Sequence, residues 1–215
     1  MKIVLNILKA FLINILFIGI IFASNSCPSI HPQEAKDLPV EQAEAILGDI
    51  LCSFIELHTE GNNTFLSALS LIKKKIMPYI DLEYSTELAL GSYWEQLQPM
   101  DKKVFERDIK TTLIDEYINS LVNMEDWNQV NITVDKNFSQ LNNLAEVKVL
   151  ISYHVEYQNV ATTVTLKMTR KDRWRIYDLI FQSFSLVDYF EYSYDEKIKR
   201  AGGLQNILQN MLQRT

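Results

Sequence analysis

A chain of 215 residues with 27 acidic and 21 basic side chains carries a net charge of −6. That balance excludes a global attraction for nucleic acid or for an anionic membrane, because both need a basic footprint. With 47% apolar residues and two cysteines, the chain suits one domain with a sizeable core and is no disulfide scaffold.

Residues 1–26 read as a secretory signal peptide. Lys2 and Lys9 make a positive start, Ala10 to Ala23 is an apolar run broken only by Asn14, and small residues follow at Ser24 and Ser26. The run is too short and wrongly flanked for a stable membrane span. Cleavage there would export the chain with Cys27 first. Ser24-Asn25-Ser26 lacks the leucine of a lipobox, which argues against a lipoprotein anchored at Cys27. Whether Cys27 pairs with Cys52 stays open, since the sequence does not give their geometry.

Residues 27–39 form a proline-bounded, polar lead-in, expected to be flexible, and residues 40–213 a single domain. From Val40 to His58 the apolar positions Ile46, Leu47, Ile50, Leu51, Phe54 and Ile55 follow helical spacing. A second helix is predicted from Thr64 to Lys75, with Pro78 forcing a break. One or two helices follow over Asp81–Leu97. Pro99 then opens a long helix to Val122, with Phe105, Ile109, Leu113, Tyr117 and Leu121 on one face. After Trp127 the period changes to two. Strands are predicted at Val130–Val134, Val147–Tyr157, Val160–Met168 and Arg173–Phe181, joined through Gln158-Asn159 and Arg170-Lys171-Asp172. Helices from Leu186 to Ala201 and Leu204 to Leu212 close an α+β domain built on an antiparallel sheet of about four strands.

Catalysis finds little support. His31, His58 and His154 are scattered over a tail, a helix end and a strand, and the sequence has no nucleophile elbow, phosphate loop or metal-ligand spacing. No catalytic residue, metal or cofactor is therefore expected. The notable material is aromatic: 10 Phe, 10 Tyr and 3 Trp. These residues are ordinary core, or they line a slot where sheet and helices fail to meet; periodicity alone does not separate the two.

Two blocks decide between those readings. Met77-Pro78-Tyr79-Ile80-Asp81, Leu88-Ala89-Leu90-Gly91-Ser92-Tyr93-Trp94 and Gln98-Pro99 to Phe105 form the first. Trp174-Arg175-Ile176-Tyr177-Asp178, Ser185-Leu186-Val187 and Gly202-Gly203-Leu204 form the second. In this order they resemble the MlaC / toluene-tolerance family of periplasmic phospholipid-binding ABC-transport auxiliary proteins. The resemblance implies helices on a curved sheet, of nuclear-transport-factor-like appearance, enclosing an apolar lipid slot. It implies a non-enzymatic, monomeric carrier whose cargo is a phospholipid. Its partners would be an inner-membrane Mla-type ABC transporter complex and an outer-membrane lipoprotein–porin complex, and its role the maintenance of outer-membrane lipid asymmetry. Tail contacts are expected from Tyr79, Tyr93, Trp94, Phe105, Val149, Ile151, Val164, Leu166, Trp174, Ile176, Phe181 and Phe184.

Three departures from the family pattern stand out. Ser183 takes the place of a turn glycine, so the turn either avoids positive φ or tolerates its cost. Phe184 replaces a valine and reshapes whatever it lines. Phe190 stands where an arginine is expected, which removes a head-group contact there. Other readings are binding of a hopanoid or quinone, a nuclear-transport-factor-like enzyme using Asp81, Asp178 and tyrosines, and a purely structural lipoprotein. The run Lys73-Lys74-Lys75 reads as a solvated helix face rather than a phosphate contact.

Overall fold

The computed structural model describes residue 32 and residues 37–213, apart from 125, 156 and 157. The signal-peptide reading of residues 1–26, Cys27 and His31 lie outside the described residues, as do Tyr157 and the side chains of Tyr117 and His154. No helix among the described residues is long and apolar enough to cross a membrane.

Helix α1 (Pro39–Thr59) begins on its proline, whose missing N–H costs nothing in a first turn. Cys52 on this helix is disulfide-bonded. After Gly61 turns the chain at φ 70°, Thr64 caps α2 (Phe65–Leu71) by accepting from the Ser67 amide at 3.2 Å. The predicted helix to Lys75 is α-helical only to Leu71. It widens into a π-turn over Ile72–Ile76 and tightens into a 3₁₀ turn over Met77–Tyr79, because Pro78 denies the backbone a donor. Asp81 caps α3 (Leu82–Leu90), which Gly91 ends at φ 49°; the chain continues as a 3₁₀ turn, Gly91–Gln96. Helix α4 (Pro99–Val122) has 24 residues and so runs about 36 Å.

The sheet is an antiparallel meander with six strands rather than four: β1 (Asn131–Val134), β2 (Ser139–Leu141), β3 (Leu144–Val155), β4 (Gln158–Arg170), β5 (Trp174–Phe181) and β6 (Phe184–Ser185). The two unforeseen strands, β2 and β6, have three and two residues, too short to show a period. β1 and β2 lie in line along the same edge of β3. Gln158 and Asn159, expected as a connection, already belong to β4 and pair with Val155 and His154. The ladder outruns the last apolar side chain because backbone pairing does not need one. Helices α5 (Leu186–Ala201) and α6 (Leu204–Leu212) finish the chain, with Gly202 in the left-handed conformation that closes α5.

Three apolar clusters flank the sheet's inner face. Val40 and Ala43 of α1 cover Val147, Val149, Leu166, Met168, Trp174 and Ile176. Trp94, Phe105, Ile109, Phe190, Tyr194 and Ile207 pack α3, α4, α5 and α6 together. Phe54, Ile72, Ile114, Ile118 and Trp127 fill the third, with Phe54 stacked on Trp127 at 4.4 Å.

One irregularity in β5 changes which side chains face inward. Lys167 pairs with Asp178 and Met168 with Ile176, so Tyr177 is an extra residue, a β-bulge. Before it the inward positions are Trp174 and Ile176. After it they are Leu179 and Phe181, which pair with Leu166 and Val164. The strand then turns through Gln182 and Ser183, at φ 47° and 68°, into β6. Ser183 thus tolerates positive φ rather than avoiding it. A non-glycine residue there costs about 1 kcal/mol. Ser183→Gly is expected to raise stability by about that amount, read as a higher urea midpoint with an unchanged slope.

Candidate functional site

The inner sheet face is covered by α1 at its Trp174 end and left uncovered near Phe181. There the sheet, α4 and the segment Ile72–Ile80 enclose a cavity of about 350 Å³. Each wall follows from local structure. β4 and β5 supply Val164, Leu179 and Phe181, the last two aimed inward by the bulge. The π-turn and the residues after it supply Ile72, Ile76, Met77 and Ile80. The C-terminal half of α4 supplies Leu113, Ile114 and Leu121, β6 supplies Phe184 and the first residue of α5 supplies Leu186. All twelve lining residues are apolar. The only exposed members are Phe181 and Phe184, 43% and 50% accessible, which places the mouth at the β5–β6 hairpin.

A second, smaller space of about 50 Å³ adjoins the first and shares Ile80, Leu113, Leu179 and Leu186 with it. It runs beneath α5 to Ile109, Val187 and Phe190. Ser85 and Asp178 lie in its lining, but their polar atoms are engaged. The Ser85 hydroxyl reaches the Tyr177 carbonyl at 2.6 Å. Asp178 accepts from the Ser185 hydroxyl at 2.8 Å and the Val187 amide at 3.1 Å, with Lys167 at 3.5 Å. Asp81, the other acid named as a possible catalyst, caps α3 through the Tyr84 amide at 3.1 Å and pairs with Lys171 at 3.2 Å.

Of the twelve residues named from the sequence, Val164, Phe181 and Phe184 line the main cavity and Ile176 the smaller space. Val149, Leu166 and Trp174 lie in the cluster beneath α1, and Ile151 packs at its margin. Phe105 and Trp94 belong to the helical cluster, with Tyr93 half-buried against it. Tyr79 is buried in its 3₁₀ turn. The sequence reading missed Leu179, Ile72, Ile76, Met77, Ile80, Ile114 and Leu186 as lining. For Leu113 and Leu121 the helical stripe was the available signal; for Leu179 none existed without the bulge. Lys75 is tied to Asp49 at 3.0 Å, whereas Lys73 and Lys74 are exposed.

Two tyrosines near the site hold their protons tightly. Burial pushes the Tyr177 phenol up to about 12, helped by neighbouring Tyr84 and Asp178. Burial raises Tyr194 further, and its hydroxyl donates to Asp108 at 3.0 Å. Both folded phenols keep the proton longer than the unfolded chain does. Their stabilisation is fully present below the ordinary value of about 10 and is lost as pH rises through the folded values. Urea unfolding is expected to show stability falling above pH about 10, and Tyr194→Phe is expected to lessen that fall while lowering stability at neutral pH.

A family model described as MlaC protein matches residues 58–213. The chain is 22% identical over 123 residues to the intermembrane phospholipid transport system binding protein MlaC of Haemophilus influenzae. That alignment covers 55% of this chain and 55% of the relative, so the chain spans about half the length of the curated protein it matches. In fold it is similar to a phospholipid-binding protein from Ralstonia solanacearum, solved in complex with a phospholipid. The TM-score is 0.65 at 19% identity, over 80% of this chain and 93% of the other.

Proposed function

The chain belongs to the MlaC family, and from that premise we propose that it is a periplasmic phospholipid carrier, burying acyl chains in its cavity and leaving the head group at the mouth. The observation that carries this reading is the lining: twelve apolar residues and no polar one around about 350 Å³. Such a space is worthless to a polar substrate. For a lipid it replaces the bilayer, since each methylene kept from water is worth about 0.8 kcal/mol. Desorption of a diacyl lipid into water is prohibitive. Transfer between a bilayer and a slot of equal apolarity is nearly neutral, so direction is set by the machines at either end.

In this reading those machines are an inner-membrane Mla-type ABC transporter complex and an outer-membrane lipoprotein–porin complex, and the shuttle maintains outer-membrane asymmetry. The head group stays in water, which suits a mouth rimmed by Phe181 and Phe184 with no charged residue in the lining. The reaction is physical transfer. Asp81 and Asp178, the acids that an enzyme of this shape would use, are spent on helix starts and ion pairs.

Native mass spectrometry of the protein purified from bacterial cells, followed by organic extraction, is expected to find a stoichiometric diacyl phospholipid. A hopanoid or quinone in its place would reassign the cargo. A clean unliganded mass, with no uptake from phospholipid vesicles, would overturn the carrier reading.

Two substitutions on paired β-residues separate slot from core. Val164, half-buried in the cavity wall, lies across from Val149, which is 1% exposed inside the core. Val164→Asp is expected to fold and lose bound lipid, because a carboxylate placed in the slot keeps its water and excludes tails. Val149→Asp is expected to destabilise the fold by several kcal/mol, because its charge has no access to water. Thermal melts alongside lipid extraction check both.

A further inference from the structure

The small space beneath α5 is separate from the opening at the β5–β6 hairpin. None of its lining residues is exposed, whereas the main cavity reaches solvent at Phe181 and Phe184. It adjoins the main cavity and ends against side chains that are buried outright, Ile109, Val187 and Phe190. Four side chains, Ile80, Leu113, Leu179 and Leu186, separate the two spaces by lining both. All four are aliphatic and half-buried, free of hydrogen bonds that would fix their rotamers. At the far end stands Phe190, 5% exposed and braced by Tyr189 at 5.4 Å and Tyr194 at 6.2 Å, with Phe105 behind Tyr194 at 5.4 Å.

We propose that the space beneath α5 receives the methyl end of an acyl chain once the aliphatic partition parts, and that Phe190 is the stop that sets the longest chain accepted. This rests on the carrier reading and deepens it from lipid to acyl length. The energetic argument is a competition with the bilayer. A terminal methylene that finds room loses nothing on leaving the membrane. One that meets Phe190 forfeits its burial, a penalty of roughly fourfold in affinity per methylene. The rings of Tyr189 and Tyr194 packed against Phe190 make the stop firm. The polar atoms nearby do not oppose a chain end: the Ser85 hydroxyl and the Asp178 carboxylate are already hydrogen-bonded.

Two variants move the stop in opposite directions. Phe190→Ala removes the ring and lengthens the path. Val187→Phe adds a ring's carbon to a space of about 50 Å³ and shortens it, leaving the Val187 amide bonded to Asp178. Wild type and both variants are incubated with vesicles holding equal amounts of dimyristoyl, dipalmitoyl and distearoyl phosphatidylglycerol. They are then reisolated, and the bound species counted by native mass spectrometry, with circular dichroism reporting the fold. Phe190→Ala is expected to enrich the distearoyl over the dipalmitoyl species by about tenfold relative to wild type, and Val187→Phe to shift the ratio the other way. Bound lipid with an unchanged length profile in both variants would overturn the inference while leaving the carrier reading intact. Should Phe190→Ala fail to fold, Val187→Phe decides alone, and an unshifted profile there is fatal. A wild type that takes up none of the three lipids counts against the carrier reading itself.

Discussion

The arrangement hangs on one buried carboxylate. Asp178 is 4% exposed and sits immediately after the β5 bulge, where it collects the Ser185 hydroxyl, the Val187 amide and the Lys167 ammonium. An acid accepting a first-turn amide of a helix is favoured by the partial positive charge there, and removing one partner of a buried ion pair leaves an uncompensated charge. The consequence is positional. The Asp178 carboxylate ties the start of α5 to the end of β5, which fixes where the helix leaves the sheet. Leu186, the first residue of α5, is thereby placed in the lining of both spaces.

An apolar space of this size needs rigid walls on each side, and the three clusters supply them. Val40 and Ala43 seal the Trp174 end of the sheet, so the opening falls at the Phe181 end. The aromatic packing of Phe105, Phe190 and Tyr194 holds α4 against α5 at the back. Between these blocks lies the least regular stretch of backbone, α2 passing through a π-turn into a 3₁₀ turn. Its aliphatic residues face the slot, and the Lys75–Asp49 pair fastens it to α1. Irregular helix at a binding wall is a recurrent association, because each change of pitch re-aims a side chain.

What the sequence disclosed follows from periodicity. The four longer strands, the long helices and the α+β order were all legible, since each repeats its pattern for two turns or more. The cavity was legible only in part, because a lining residue and a core residue share one chemistry. Val164 and Trp174 occupy the same sheet face and read alike; only the passage of α1 over one of them makes it core. Leu179 was invisible because a single extra residue, Tyr177, reverses the parity of everything after it. Phe190 read as a lost head-group contact, yet it lies inside, at the end of the apolar path. Ser183 showed that a turn preference costing about 1 kcal/mol can be overridden by the pairing on either side.

The sheet's two borders carry a consequence of a different kind. Along β3 the outer edge is divided between β1 and β2 by a break at residues 135–138. Beyond β5, the two-residue β6 covers one end, and at the other the Asp81 amide donates to the Ile176 carbonyl at 2.8 Å beside the Ile80–Ile176 bridge. Among the described residues, neither border presents an uninterrupted run of free donors and acceptors for a foreign strand to copy. A domain that keeps exposed phenylalanines at a mouth is under standing risk of self-association, and these interrupted edges remove the route by which such contacts grow into stacked sheets.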